Sequence, residues 1–373
     1  MAKSKKKSIR FVPSNQIKRQ LMRYILEGRY TPGTTLPTIQ VLSDTLKVST
    51  KTVQKAIHAL SAEGLIEAKR GVGLTVKATA AQTGRKREIG LIHPNTADYP
   101  RQEPYPGLVL KALQKALKKE DYTVVPWSLA SADPLTIVET IAERHWSGAV
   151  LLEIDSDPII LELRETRIPL VSMDYDASRH GISSVIFDNI LGTFQATKLL
   201  IGKGHRNIAF LRPLVRNPVI SRNSADWVEG VRLDGYRLAM IDAGLTVTYR
   251  EFTNNADSLN AALLNLFACR PAPTACVCVA DWSAQNIAAR LIEMGFRIPE
   301  DVSITGFGYS EMEFSPGKVL SSVNLEYAEM GTVAARLIVE ALQTPTHPVR
   351  RHVLPTHIVE KDSVAAIAAM TGA

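Results

Sequence analysis

The first 77 residues carry apolar side chains at helical spacing in three successive stretches. The first stretch covers residues 17–28, the second follows Thr38, and the third runs from Ser49 to Gly64. Thr38 and Ser49 are hydroxyl residues of the kind that cap helix N-termini. Residues 65–76 then alternate around a turn that contains glycine, which is typical of two short strands. This part of the chain therefore predicts a helix, a helix-turn-helix pair and a β-hairpin wing.

Beyond residue 87 the pattern changes to short apolar strands that alternate with helical stretches. Strands are predicted at 88–93, 122–126, 149–152, 169–173, 207–211, 275–279 and 302–307, with helices at about 106–120 and 134–144. Strands separated by helices predict an α/β fold with parallel sheets. Because this segment is too long for one such sheet, we expect two lobes. The expected first lobe is about 88–187 with 319–350, and the second is 188–318 with 351–365.

The charge of the chain changes at the same place. Residues 1–87 hold 18 Lys and Arg against 4 Asp and Glu, a net charge of +14, whereas residues 88–373 carry a net charge of −7. We expect residues 1–10 to be a disordered basic arm and the small, polar residues 78–87 to be a mobile linker. Such asymmetry is typical of a nucleic-acid-binding module, here residues 11–77, joined to an ordinary folded domain.

The start of the third predicted helix offers hydroxyl, amide and ammonium groups, which can reach base edges and phosphates together. The positive end of the helix also favours contact with a phosphate. For any single helix, a solvated polar face is the alternative interpretation. The predicted wing adds a basic tip where it would meet the DNA backbone. The candidate DNA-binding residues are Thr38, Gln40, Ser49, Thr50, Lys51, Thr52, Gln54, Lys55, Lys69, Arg70 and Gly71.

The N-terminal module resembles the winged helix-turn-helix of the GntR family of bacterial regulators. The resemblance lies in residues 30–37 (YTPGTTLP), 48–53 (VSTKTV), 59–66 (ALSAEGLI) and 70–73 (RGVG). It implies binding to double-stranded operator DNA. The chain departs from the family where many members carry arginine, at Gln40, Thr50 and Gln54, so the resemblance does not supply an operator sequence.

In open parallel sheets, ligands bind outside the carboxyl ends of the strands. The predicted strand ends carry carboxylates, an arginine and aromatic rings, a set that suits a polyol because polar groups grip hydroxyls and rings cover C–H surfaces. For any one of these residues, a capping or core role is the alternative. The candidates at the strand ends are Asn95, Trp127, Asp174, Asp281, Trp282 and Tyr309.

The second module resembles the two-lobed, type I periplasmic-binding-protein-like sensor domain of the LacI/GalR family. The matching segments are 187–189 with Gly192, 204–211, 232–236 and 295–307. The resemblance implies that Arg232 and Asp174 contact a ligand, most often a sugar. The family's Asn-Asp pair is Ala280-Asp281 here, and its Gly-aromatic-Asp-Asp is residues 306–309 (GFGY). The altered positions indicate a different sugar or a different kind of ligand.

Enzyme motifs are absent from the sequence: it has no dinucleotide-binding, P-loop or nucleophile-elbow pattern and no His-Glu-x-x-His spacing. No catalytic residue, cofactor or metal site is predicted. Cys269, Cys276 and Cys278 are expected to be buried reduced thiols. No apolar stretch approaches membrane-spanning length and no secretory signal is evident, so we expect a cytoplasmic protein without membrane contact.

These observations predict a transcriptional regulator, a repressor, in which a small effector bound between the lobes controls operator affinity. We expect a homodimer, because one winged module reads only a half-site. The alternative is a constitutive DNA-binding protein whose cleft is vestigial and serves for dimerisation or a protein partner. The two differ in whether a small molecule binds.

Overall fold

The computed structural model divides the chain into an N-terminal unit, Met1–Lys86, and a C-terminal unit, Arg87–Ala373. The residues it describes are 14–26, 29–30, 33–62, 65–69, 72–77, 86–94, 104–129, 134–214, 227–253, 255–308, 311–344 and 347–367. The predicted basic arm and nearly all of the predicted linker lie outside these residues.

The N-terminal unit has the predicted three helices and hairpin. The helices are α1 (Ser14–Leu26), α2 (Ile39–Leu46) and α3 (Thr50–Ala62), and the strands are β1 (Ile66–Lys69) and β2 (Gly73–Val76). The strands are antiparallel, with Ile66 opposite Val76 and Lys69 opposite Gly73.

One apolar core joins these elements. It is built from side chains that recur every three or four residues on the helices, together with one inward residue from each strand. The buried residues are Ile17, Leu21, Ile25, Leu36, Leu42, Val48, Val53, Ala56, Ile57, Leu60, Ile66 and Val76. The outer face of α3 is therefore free of any packing role.

The C-terminal unit contains two six-stranded sheets. The strands of the first sheet are β3 (Lys86–His93), β4 (Thr123–Ser128), β5 (Trp146–Leu152), β6 (Leu170–Met173), β7 (Ser183–Phe187) and β15 (Arg351–Leu354), in the order β15-β7-β6-β5-β3-β4. The helices α4 (Pro104–Lys118), α5 (Pro134–Arg144), α6 (Asp157–Arg164) and α11 (Tyr327–Gln343) complete this lobe. Helices α4 and α11 contribute to one apolar core, and α5 and α6 to another.

The second lobe repeats this plan. Its strands are β8 (Ile208–Leu214), β9 (Thr248–Thr253), β10 (Ala275–Cys278), β11 (Ser303–Gly308), β14 (Ser321–Leu325) and β16 (Thr356–Val359), in the order β16-β14-β11-β10-β8-β9. Its helices are α7 (Asn189–Gly202), α8 (Trp227–Asp242), α9 (Ala256–Ala268) and α10 (Asp281–Glu293). A short hairpin, β12 (Glu313–Ser315) and β13 (Lys318–Val319), precedes β14. The predicted α/β class and paired lobes are thus confirmed, and β16 runs antiparallel to β14.

The predicted lobe boundaries are wrong at two crossings. Residues 321–325 were expected in the first lobe, but β14 pairs with β11 of the second sheet. Conversely, residues 351–354 were expected in the second lobe, but β15 pairs with β7 of the first sheet. The chain therefore crosses before Tyr327 and again between Leu354 and Thr356, and backbone pairing across the sheets decides these boundaries.

The crossings pack closely together. The Asp188 N–H donates to Leu354 O at 2.9 Å, and the Thr356 hydroxyl donates to Asp188 O at 3.0 Å. A Cβ on Gly192 would lie 2.8 Å from Val323 and 2.9 Å from Phe307, which only glycine avoids. These contacts place the three connections between the lobes next to one another.

The cysteine prediction is correct for two of the three residues. Cys276 and Cys278 are buried in β10. Cys269 is exposed, because it lies in the segment that follows α9 and not in a buried strand. Of the helices in the described ranges, none combines the length and apolarity that membrane crossing requires.

Candidate functional site

Helix α3 presents a polar face to solvent. Thr50, Lys51, Gln54 and Lys55 are all exposed, opposite the buried face that includes Val53. Helical spacing places Lys51, Gln54 and Lys55 on adjoining turns of one side. The first turn has no acidic residue, so nothing there opposes an incoming phosphate. This geometry agrees with the predicted base-reading helix.

Ser49 and Thr52 have a different local role from their exposed neighbours. The Thr52 N–H donates to Ser49 Oγ at 3.1 Å, which makes Ser49 the N-cap of α3, and the two hydroxyl oxygens are 2.8 Å apart. Both side chains are half-buried. They therefore fix the start of the helix, and any contact with DNA would compete with this pairing.

The helix α2 is capped in the predicted way. Thr38 Oγ1 accepts from the Val41 N–H at 3.4 Å, and exposed Gln40 donates from Nε2 to Asp44 Oδ2 at 3.3 Å. Both Thr38 and Gln40 lie on the surface at the start of α2. Gln40 is thus accessible but already has an acidic partner.

The predicted wing tip is only partly within the described residues. Lys69 ends β1, whereas Arg70 and Gly71 lie outside them, so their role stays a prediction. Sequence reasoning missed His58, an exposed residue seven positions after Lys51 on the same side of α3. The i, i+3, i+7 spacing was the signal that would have included it.

Asp174 lies at the carboxyl end of β6 and is 8% exposed. Its backbone has φ +67°, and its N–H donates to Val185 O at 2.9 Å. Burial raises the pKa of Asp174 to about 6, a shift partly opposed by the positive charge of Arg232. Among the described residues, no group hydrogen-bonds to the buried atom Asp174 Oδ1. A carboxylate in this setting lacks the solvation that water would give it.

Arg232 reaches the same region from helix α8 of the second lobe. Its Nε donates to Asn189 Oδ1 at 2.8 Å, and its Nη1 donates to Val279 O at 2.8 Å. The guanidinium lies 3.8 Å from the centre of the Phe307 ring. Arg232 is 8% exposed, so packing and hydrogen bonds hold this planar group rigidly beside the facing lobe.

Asp281 begins α10 in the second lobe. Its Oδ1 accepts from the Ser322 hydroxyl at 2.6 Å. A Cβ on Gly306 would lie 2.0 Å from Asp281 Oδ1, and one on Gly308 would lie 3.1 Å from Oδ2. The carboxylate therefore occupies space left open by two glycines of β11, and the φ of +141° at Gly308 also favours glycine there.

Two tyrosines of the first lobe lie at this site, and sequence reasoning missed both. The Tyr105 and Tyr327 rings have centroids 4.5 Å apart. A Cβ on Gly308 would lie 3.0 Å from Tyr327 Oη, which places this hydroxyl next to Asp281. Burial raises the pKa of Tyr327 well above its usual value. We call Tyr105, Asp174, Arg232, Asp281 and Tyr327 the inter-lobe cluster. The tyrosines lie at helix starts, so a search of strand ends passed over them.

The predicted ligand residue Trp127 packs away from this cluster. The Trp127 ring lies 6.1 Å from that of Trp146 and 5.7 Å from the Arg144 guanidinium of α5. The prediction for Trp127 is therefore wrong in position, because the side-chain alternation of edge strand β4 turns the ring onto the helix-covered core. Trp282 is half-buried at the second residue of α10. Asn95 and Tyr309 lie outside the described residues.

Two other strand-end residues are occupied elsewhere. Arg212 is 8% exposed and donates to Glu229 at 3.2 Å and to Glu251 at 3.3 Å. His93 ends β3, and burial lowers the pKa of its imidazole, which favours the neutral ring. Neither residue brings an uncompensated positive charge to the strand ends. Groups of acidic, histidine and cysteine side chains arranged for a metal ion are absent from the described ranges.

Two protein families match parts of this chain. Residues 13–76 match the family described as bacterial regulatory proteins of the gntR family. Residues 197–364 match the periplasmic binding protein-like domain.

Curated relatives extend these matches. The HTH-type transcriptional regulator CelR of Thermobifida fusca is 33% identical over 232 residues, which are 60% of this chain and 65% of CelR. The ribose operon repressor of Haemophilus influenzae is 25% identical over 362 residues, covering 96% of this chain and 92% of that repressor. The chain thus spans just under two thirds of CelR and nearly all of the ribose repressor.

Solved structures show the same fold. A CelR–cellobiose complex aligns with a TM-score of 0.64 and 23% identity, covering 88% of this chain and all of that one. A LacI family regulator from Enterococcus faecium with bound ribose aligns at 0.62 and 21% identity, covering 75% and 99%. At these identities the likeness concerns the fold.

Taken together, residues 13–76 are similar to bacterial regulatory proteins of the gntR family, and residues 197–364 are similar to the periplasmic binding protein-like domain. The curated proteins to which the chain is similar include a transcriptional regulator and an operon repressor. Both resemblances found in the sequence are confirmed.

Proposed function

We propose that this protein is a transcriptional repressor whose affinity for operator DNA is controlled by a small ligand, a sugar or sugar derivative, bound at the inter-lobe cluster. The observation that carries the proposal is the meeting of Asp174 from one lobe with Arg232 and Asp281 from the other. Polar groups from two lobes can hold one ligand only when the lobes are close, so ligand binding favours the closed arrangement.

The exposed face of α3 supports the DNA-binding half of the proposal. Lys51 and Lys55 supply positive charge beside Thr50 and Gln54, whose side chains can hydrogen-bond to bases. The names of the relatives agree with this assignment: CelR was solved with cellobiose, and another relative is a ribose operon repressor. On the basis of these names, we propose a carbohydrate effector for this chain.

Asp174 also favours this function over a vestigial cleft. A buried carboxyl whose Oδ1 has no hydrogen bond within the described residues destabilises the folded protein when charged. Such a group has no benefit in a purely structural interface, whereas a ligand that donates to it offsets its cost.

We further propose a homodimer, because a single winged module contacts only one operator half-site. Sedimentation of the full chain should give twice the mass of the 373-residue monomer. A monomer at concentrations that saturate operator DNA would contradict this part of the proposal.

The test is calorimetric titration of the full chain with a panel of aldoses and their derivatives. The DNA partner is the fragment upstream of the gene that encodes the chain. We expect at least one compound to bind and to change the dissociation constant for this fragment. Binding to DNA without heat from any compound would instead support the constitutive alternative.

A further inference from the structure

Among the described residues, several carboxylates lie around the inter-lobe cluster. In the first lobe, Asp174 is joined by Glu153 and Asp155, which follow β5. The Glu153 N–H donates to Met173 O at 3.2 Å, so Glu153 lies beside the residue that precedes Asp174. The negative charge of Asp155 raises the pKa of Asp174, and the negative charge of Glu153 raises the pKa of Tyr327. The second lobe adds Asp281.

The cations of this region within the described residues are already engaged by protein acceptors. Arg212 holds two carboxylates, those of Glu229 and Glu251. Arg232 donates to Asn189 and to a backbone carbonyl, and its face covers Phe307. An anionic ligand would therefore meet several carboxylates and no arginine that is committed to it, which is unfavourable in a buried site.

Aromatic rings lie next to the buried carboxyl of Asp174. The Tyr105 side chain lies next to Asp174, and the Tyr105 ring packs 4.5 Å from that of Tyr327. Phe187 meets Tyr327 edge to face at 5.7 Å. Electron-rich rings beside a carboxylate are the surroundings in which proteins bind ammonium groups.

The atom Asp174 Oδ1 is a specific acceptor for such a group. It is buried and makes no hydrogen bond to any described residue, whereas Asp281 Oδ1 already accepts from Ser322 at 2.6 Å. An ammonium group supplies both the missing donor and the missing charge, and a neutral hydroxyl supplies only the donor.

We propose that the effector carries an ammonium group that binds at Asp174, beside Glu153 and the rings of Tyr105 and Tyr327. This proposal rests on the proposed function, because it assigns the chemistry of the same effector. The ligand class is an aminated sugar or polyol, with its hydroxyls directed to Arg232 and Asp281 of the second lobe. Sugar phosphates and sugar acids are excluded by the same charges.

The experiment is calorimetric titration of the full chain, near neutral pH, with matched sets of probes. One set is glucose, glucosamine, N-acetylglucosamine and glucose 6-phosphate, and the others are the corresponding galactose, mannose and ribose derivatives. In at least one set the free amine should bind about tenfold tighter than its neutral parent, which corresponds to about 1.4 kcal/mol. Acetylation, which removes the charge, should abolish that preference.

The outcomes separate this proposal from the proposed function. Binding of a neutral, acetylated or phosphorylated probe as tightly as the amine would overturn the ammonium assignment and leave the sugar-responsive repressor intact. Absence of binding by every probe would contradict both proposals.

Two variants locate the ammonium. Glu153→Gln removes one charge and should reduce the ratio of amine to neutral affinity several-fold. Glu162→Gln is the matched control, because Glu162 is exposed on α6. An unchanged ratio in Glu153→Gln, or an equal fall in both variants, would overturn the assignment.

Discussion

The two candidate binding surfaces of this chain place their charges in opposite settings. On α3, Lys51 and Lys55 are exposed to water, whereas Asp174 and Arg232 in the inter-lobe cluster are each 8% exposed. An exposed charge costs little to maintain and attracts a polyanion of any sequence. A buried charge is costly until a partner compensates it, so it selects one ligand. We therefore expect the exposed face of α3 to supply affinity for DNA, and the inter-lobe cluster to supply discrimination between small ligands.

The largest expected effect is in the buried surface. Arg232→Ala should weaken binding of the effector at least about 100-fold, because it removes a rigid donor and leaves Asn189 Oδ1 and the Val279 carbonyl unpaired. Arg237→Ala is the control on the same helix, since Arg237 pairs with exposed Asp234 and lies 5.5 Å from the centre of the Tyr249 ring. Calorimetry gives both affinities. If the two variants bind the effector equally well, Arg232 has no place in the site.

The exposed surface should respond to salt rather than to ligand. The double variant Lys51→Ala and Lys55→Ala should weaken binding to every DNA sequence and flatten the slope of log K against log salt by about 1 to 2 units. The control changes Lys111 and Lys115, which are exposed on α4, to Ala. Fluorescence anisotropy at several salt concentrations measures the slope. A slope that stays at the wild-type value would refute phosphate contact by α3.

Asp174 should make stability depend on pH. Because burial raises its folded-state pKa from 3.8 to about 6, its contribution to stability is present below about pH 4 and lost as pH rises through about 6. Asp174→Asn does not titrate, so its stability relative to wild type should rise by about 2 to 3 kcal/mol between about pH 4 and pH 8.

Urea unfolding of the C-terminal unit within the full chain measures this difference. Asp257→Asn is the control, since Asp257 is exposed on α9. A difference between Asp174→Asn and wild type that is the same at both pH values would mean that the carboxyl is not buried as described.

The smallest effect concerns the N-cap of α3. Ser49→Ala should destabilise the N-terminal unit by about 1 kcal/mol, because the Thr52 N–H loses its side-chain acceptor and keeps only the Ser49 carbonyl oxygen. Exposed Thr50→Ala should change stability by less than about 0.5 kcal/mol. Thermal unfolding followed by circular dichroism distinguishes them. Equal losses in the two variants would show that Ser49 does not act as the cap.

The exposed face of α3 was predictable because the sequence signals for it are local. The caps Thr38 and Ser49, the apolar period of α3 and the hairpin turn all depend on neighbours within a few residues. The apolar period of α3 also predicts which residues are exposed, because the side chains that do not face the core face solvent. His58 was missed only because the polar face was taken to end with the first turns.

The inter-lobe cluster was only partly predictable because its contacts join distant parts of the chain. Strand-end reasoning located Asp174 and Asp281, and family resemblance located Arg232. Strand-end reasoning placed Trp127 wrongly, because a strand end indicates an edge of the sheet but not the face of the sheet on which a side chain lies. Tyr327 became visible only through the space beside Gly308.

The lobe boundaries failed for a similar reason. Segments 321–325 and 351–354 are short apolar stretches that fit either sheet, and only their pairing with β11 and β7 assigns them. The period of apolar residues identifies a strand, whereas its neighbours are set by the path of the chain over long distances.

The most direct test of the account is the affinity of the full chain for the DNA upstream of its gene, with and without a saturating effector. It is measured in wild type and in Arg232→Ala. We expect the effector to change the DNA affinity of wild type at least about fivefold, the lower end of typical allosteric coupling. Arg232→Ala should bind DNA as tightly as effector-free wild type at every effector concentration. An effector that binds wild type yet leaves its DNA affinity unchanged would contradict the account.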